Sequence, residues 1–213
     1  MSASSSHDGI RLYRHRLSGH SHRAELLLSL LGLPHELVDV DLKGQEQRTE
    51  AFLRLNPFGQ VPVLDDRGTV IPDSNAILFY LALRHGGERF LPVGPLETAE
   101  AQRWLSVSSG PLIAGPASAR LVTVFGQALD HGRALGIASR LFDVLDAHLS
   151  GRRFLAGDRP MLPDISMYSY TAHAPEGGIT LDTRPAIKEW LRRMQALDGF
   201  IPMETTKVGL LAA

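Results

Sequence analysis

Two stretches of the chain combine residue types that could grip a small zwitterion. Val61-Pro62 opens a β-type run with a proline, whose nitrogen cannot join a ladder. The carbonyl and amide of Val61 are then free to pair with an extended peptide ligand, and a cis 61–62 bond, which sequence alone does not reveal, would aim them outward. Further on, Asp73-Ser74 stands where a helix should begin. A helix N-terminus offers unpaired N–H groups and positive potential, a seat for a carboxylate. Ser74 adds a hydroxyl donor, and Asp73 can accept from an ammonium. Together they make a receptor for an α-amino acid head group. Helix capping is the commoner use of such residues and is the alternative reading.

Two further clusters carry titratable groups. Ser18-Gly-His20-Ser21-His22-Arg23 lies between the first strand and the first helix, with His15 nearby. The histidines match no zinc pattern and have neither cysteine nor a local carboxylate beside them, so no metal is expected. His173-Ala-Pro-Glu176 has the composition of a general acid/base pair, but reads better as a helix end and a loop. The chain has no cysteine at all, which removes disulfides, thiolate metal sites and a cysteine nucleophile. Any sulfur chemistry must use sulfur from the ligand.

The elements that position these groups change character along the chain. Residues 10–13 form a β-type run, and 23–31 form a Leu-rich helix stopped by Gly32 and Pro34. Residues 36–41 alternate with period two. Strand, helix, strand implies a parallel pair with a right-handed crossover. A polar helix is expected over 46–55, ended by Asn56-Pro57. A hairpin follows, with strands at 61–64 and 69–71 around Asp65-Asp-Arg-Gly68, and then a helix over 75–84. Residues 85–96 hold three glycines and two prolines and read as a linker. Beyond it the pattern is helical: Trp104 and Leu105 within 99–109, Ala138 to Leu149, and Ile187 to Leu197 after Pro185. The run 109–116 breaks the helical pattern and should kink or divide a helix. The expected architecture is α/β plus all-α, with an α/β domain over 1–86 and an all-helical domain over 98–213.

The bulk numbers exclude several classes. Lys+Arg is 22 and Asp+Glu is 23, giving a net charge of -1, so no basic surface points to nucleic acid or an anionic membrane. The polar, Ser-rich start resembles no signal peptide, and no run of ~18 apolar residues suggests a membrane span. The cytoplasm is the expected compartment.

The stretch from Gly59-Gln60-Val61-Pro62-Val-Leu64 through the hairpin to Asp73-Ser74 resembles the glutathione site of glutathione transferases. The Phe154-Leu-Ala-Gly-Asp158 segment, Asp164 and Pro185-Ala-Ile-Lys-Glu-Trp190 resemble bacterial members, so the likeness spans nearly the whole chain. The resemblance implies a thioredoxin-like N-terminal domain and a helical bundle C-terminal domain. It implies that Val61, before a cis-Pro62, pairs with the cysteinyl part of glutathione. Asp73 and Ser74 would hold the γ-glutamyl head, and Gln60 the glycyl end. The family more often has Glu or Gln where Asp73 stands, and the shorter arm keeps the charge. In serine-type members a loop hydroxyl donates to the glutathione sulfur. Ser18 aligns best with it, His20 is a second candidate, and Ser21 is expected in the first helical turn, where helix capping is its preferred role.

The absent cysteine closes the routes of cysteine-type members. Chemistry with the sulfur of glutathione alone stays open, and the resemblance implies a glutathione transferase acting on a small hydrophobic electrophile with glutathione as co-substrate. The alternatives are a glutathione-dependent disulfide reductase or peroxidase and a noncatalytic binding or regulatory protein. A homodimer is expected, with Leu17, Trp104, Ser108, Leu112 and Tyr168 as candidate lining of the electrophile pocket. Family members usually place Ser or Thr three residues before Asp164. Met161 stands there, so the reciprocal cap should be incomplete while Asp164 still accepts from backbone amides.

Overall fold

A computed structural model describes residues 9–206. Its described residues separate into two compact units, one comprising residues 9–88 and 198–203, the other residues 89–197 and 204–206.

The first unit is built on a four-stranded sheet in the order β2-β1-β3-β4. β1 (Ile10–Arg14) pairs parallel with β2 (His35–Asp39), and the crossover between them is α1 (Gly19–Leu30). β3 (Val63–Asp66) runs antiparallel to both β1 and β4 (Thr69–Pro72). The β3–β4 turn places Arg67 at φ 54° and Gly68 at φ 92°, and the Asp65 carboxylate accepts the Gly68 N–H at 2.7 Å. β3 begins at Val63 rather than at Val61, because the proline has no N–H to give. α3 (Ser74–Arg84) lies beside α1, and Leu26, Leu27, Ile77, Leu78 and Leu81 are buried along with Leu12 and Leu64 of the sheet. At the far end of α3, Tyr80 Oη and His85 Nε2 donate to Asp66 Oδ2 at 2.9 and 2.7 Å, tying the helix to the hairpin.

Helix starts differ from the periodicity in instructive ways. α1 begins at Gly19, four residues before the Leu-rich run, because Ser18 caps it. The polar stretch before Asn56 divides into a 3₁₀ turn at Glu46–Arg48 and α2 (Glu50–Leu55), which is capped by Thr49.

The second unit is helical. α4 (Gly94–Ser109) starts ahead of the expected 99, since Pro95 suits a first turn. The break expected over 109–116 is present: α4 stops at Gly110, a π turn spans Ile113–Ala117 with Pro116 inside it, and α5 (Ser118–Phe125) follows. α6 (His131–Leu149), α7 (Leu162–Ala172) and α8 (Pro185–Gln195) complete the bundle. Trp104, Phe142, Leu145, Ile165, Ile187 and Trp190 form its buried interior. Asp164, fully buried, accepts from Leu155 N, Met161 N and Trp190 Nε1 at 2.8–2.9 Å. Burial pushes its carboxyl up to about 6, against those donors. Its role is to join the start of α7 to α8. His173 closes α7, and the 3₁₀ turn Ala174–Gly177 holds Glu176, as the helix-end reading expects.

Candidate active site in the first unit

The loop before β3 is shaped from within. Asn56, buried, sends Nδ2 to the Gln60 carbonyl at 2.8 Å and accepts the Phe58 N–H at 3.1 Å. Gly59 has φ 60°, and a Cβ there would meet the Gln47 carbonyl oxygen at 2.8 Å, so only glycine fits. The loop delivers a cis Val61–Pro62 bond. Among the described residues the Val61 N–H and C=O have no hydrogen-bond partner. They are a donor and an acceptor for an extended ligand. Gln60 is exposed beside them.

The start of α3 is arranged around Asp73, which has φ 74° and ψ 126°, an uncommon conformation for a residue with a Cβ. Its Oδ1 accepts the N–H groups of Asn75 and Ala76, each at 2.9 Å, and its carbonyl accepts from Ile77. Asp73 is therefore the N-cap, and the short arm lets the carboxylate fold onto its own helix. Both bonds fall on one oxygen, and the residue is exposed, so the other oxygen is open to an ammonium. Of the first-turn amides, Ser74 N–H alone has no partner among the described residues. The Ser74 side chain lies 3.3 Å from His20 Nδ1 and accepts from Arg23 Nη1 at 3.4 Å. Backbone N–H, hydroxyl and helix dipole thus converge at one anion seat, with a carboxylate beside it.

The start of α1 supplies the remaining groups. Ser18 Oγ accepts the Ser21 N–H at 3.3 Å and the side chain is half-buried. Capping uses a lone pair, which leaves the hydroxyl proton to donate. Ser21 is not the cap: it sits inside the first turn, 1% exposed, and its Oγ accepts the His15 N–H at 3.2 Å. His22 is buried with Nε2 donating to the Ile201 carbonyl at 2.9 Å, a structural bond within the same unit. His20 faces Ser74. Withdrawal from water, and then the charge of Arg23, push its pKa down to about 3, so its ring is neutral at ordinary pH.

The structure thus brings Ser18, His20 and Ser21 onto one turn and His20, Arg23, Asp73 and Ser74 around another. Among the described residues there is no group of three potential metal-ligating His, Asp or Glu side chains. Of the residues suggested for an electrophile pocket, Leu17 is half-buried, whereas Ser108, Leu112 and Tyr168 are buried within the second unit. Ser108 donates to the Leu105 carbonyl and accepts from Ser166, so its polar capacity is used by its own helices. Trp104 lines a groove of about 360 Å³ between α4 and α6, together with Val107, Pro111, Ile137, Leu141 and Val144. Arg23 carried no signal of its own in the sequence beyond following His22.

The same elements recur in known proteins. Residues 8–83 match the model of the glutathione S-transferase N-terminal domain, and residues 127–198 match that of the C-terminal domain. Glutathione S-transferase 3 of Zea mays is 30% identical over 90% of this chain and 91% of its own. Glutathione S-transferase GstB of Escherichia coli is 29% identical, covering 79% of this chain and 85% of its own. Among solved structures, a glutathione S-transferase from Pseudomonas fluorescens superposes with a TM-score of 0.87 at 33% identity, over 92% of this chain and 99% of that one.

Proposed function

The chain belongs to the glutathione S-transferase family, and we propose that it binds the γ-glutamyl head of glutathione at Asp73 and Ser74 and activates the thiol with Ser18. The observation that carries this reading is the single open amide of the α3 first turn, Ser74 N–H, with its own hydroxyl and the Asp73 carboxylate alongside. The carboxylate of the head group takes the N–H and the hydroxyl, and its ammonium takes Asp73. The cysteinyl segment pairs with the backbone of Val61 before Pro62, and Gln60 supports the glycyl end.

Ser18 then donates to the sulfur. A free thiol titrates near ~8.5. A hydrogen bond to a charged acceptor is worth ~1.5–3 kcal/mol, or about 1–2 pKa units. That shift, aided by the positive end of α1, brings the bound thiol to about 6.5–7.5, so a large fraction is thiolate at neutral pH with its proton released to solvent. The thiolate then bonds to the electrophilic atom, either displacing a leaving group or adding to an activated double bond that takes up a proton from solvent. His20, with Nδ1 held against Ser74, belongs to the head-group end; its neutral ring adds no competing charge there.

The protein works in the cytoplasm as a homodimer on a small hydrophobic electrophile. Support for the second copy comes from two exposed apolar features: the groove between α4 and α6, with Val144 on its wall, and the Phe58 side chain, 77% exposed. Phe58 of one protomer entering the groove of another would cover both.

Calorimetry with glutathione and with cysteinylglycine tests the head-group assignment. Cysteinylglycine lacks the γ-glutamyl unit, and its affinity should be at least about tenfold lower, the equivalent of losing one charge-assisted hydrogen bond. Equal affinities would remove Asp73 and Ser74 from the site.

A further inference from the structure

α1 carries a buried cation that the reaction as described does not use. Arg23 is 1% exposed, at the start of the apolar run in which Ala24, Leu26, Leu27 and Leu28 are buried. An apolar side chain of similar volume would avoid the desolvation cost of a guanidinium there, and replacing buried ions by apolar groups is often neutral or stabilising. The position of the charge is therefore informative. One nitrogen, Nη1, donates to both Ser74 Oγ at 3.4 Å and Asn75 Oδ1 at 3.2 Å, across 51 residues of sequence from Ser74.

We infer that Arg23 is a positioning residue for glutathione, fixing the Ser74 hydroxyl and the Asn75 side chain from beneath so that the hydroxyl proton of Ser74 points toward the incoming carboxylate. The inference rests on the assignment of Ser74 to the head group. A hydroxyl has one proton and two lone pairs. With Arg23 N–H on one lone pair, the Ser74 proton must go to a different acceptor. In the free protein that acceptor is His20 Nδ1, 3.3 Å away. In the complex it is the ligand carboxylate. The guanidinium also adds its positive charge to the N-terminal end of α3, where the carboxylate sits. It disfavours a second cation at His20, which supports the same geometry.

The test uses Arg23→Met, Arg23→Lys and Ser74→Ala in the full chain. Three readouts apply: glutathione affinity by calorimetry, kcat at saturating glutathione, and the His20 titration by NMR. In Arg23→Met, affinity should fall about tenfold with kcat nearly unchanged, and His20 should titrate closer to an ordinary histidine. Loosened packing would also raise that titration by readmitting water, but it would do so in Arg23→Lys as well, so a rise confined to Arg23→Met marks the lost charge. Arg23→Lys keeps the charge, so His20 should stay neutral, but a single ammonium cannot reproduce the fixed guanidinium geometry and affinity should still fall.

Folded Arg23→Met with wild-type affinity overturns the inference. If Arg23→Met does not fold, Arg23→Lys decides: weakened binding with neutral His20 supports it, and wild-type binding overturns it. Ser74→Ala separates the two levels. If it binds glutathione like wild type, the head-group assignment itself fails. If it weakens binding while the Arg23 variants do not, only the role of Arg23 fails.

Discussion

Ser18 and Ser21 stand three residues apart on the same turn, and each Oγ accepts a different backbone N–H: Ser18 from Ser21, and Ser21 from His15. Only Ser18 sits at the helix end with a hydroxyl proton left to donate toward a ligand. Ser18→Gly should cost the helix only a few tenths of a kcal/mol, since glycine is a tolerable N-cap. It should nevertheless abolish most of the turnover at neutral pH. Ser21→Ala should do the reverse, losing about 1 kcal/mol of stability with the loop hydrogen bond while turnover persists. Thermal melts and kcat/KM of both variants check the pair.

Asp73 both caps α3 and, in the proposed complex, meets the ammonium. Asparagine caps as well as aspartate but carries no charge. Asp73→Asn should therefore leave the melting temperature within about 1–2 °C, inside the spread expected for a few tenths of a kcal/mol. It should raise the KM for glutathione about fivefold or more, the difference between a charge-assisted and a neutral hydrogen bond. A lost melting temperature with unchanged KM would assign Asp73 to capping alone.

Glu176 holds the second unit together at one point. Its carboxylate accepts from His173 Nδ1 at 2.7 Å, Arg120 Nε at 2.5 Å, and the N–H and hydroxyl of Thr206 at 3.0 and 2.6 Å. Burial works against the anion, but these donors outweigh it and hold the carboxyl at about 2, below the ordinary 4.5. A carboxylate with a depressed folded pKa stabilises above its unfolded value, and that stability is lost as pH falls from 4.5 toward 2. Glu176→Ala leaves Arg120 buried without its anion, and should destabilise by ~3–5 kcal/mol at neutral pH. Urea unfolding across pH should show the gap between wild type and Glu176→Ala narrowing below pH ~4.5.

The proposed homodimer predicts a surface phenotype. Phe58→Ser removes an exposed ring and Val144→Glu places a charge on the groove wall between α4 and α6. Each should shift the protein toward monomer in sedimentation velocity without unfolding it. Wild-type sedimentation in both variants would move the interface elsewhere.

Much of this was legible in the sequence because it is written locally. Pro62 at the mouth of a strand, the Asp65–Gly68 turn and Asp73-Ser74 ahead of an apolar helix each follow from the chemistry of a few neighbouring residues. The start of α1 was legible only in part: Ser21 lies in the first turn as expected, but the cap at Ser18 was not foreseen. Gly19-His-Ser-His carries no apolar period, and its burial depends on bonds to distant partners such as that from His22 to Ile201. Ser21 was expected as a cap because two serines three apart are interchangeable in sequence; only the cap geometry distinguishes them. The pairing of Arg23 with Ser74 and that of Arg120 with Glu176 join residues 51 and 56 positions apart. No local pattern records either one.

The most direct test of the account is the pKa of the glutathione thiol when bound. It is read from the ultraviolet absorbance of the thiolate across a pH titration, in wild type and in Ser18→Gly. The account predicts a bound thiol about 1–2 units below its free value in wild type, and a value near that of free glutathione in Ser18→Gly with binding retained. An equally depressed thiol in both proteins would contradict it and take sulfur activation away from Ser18.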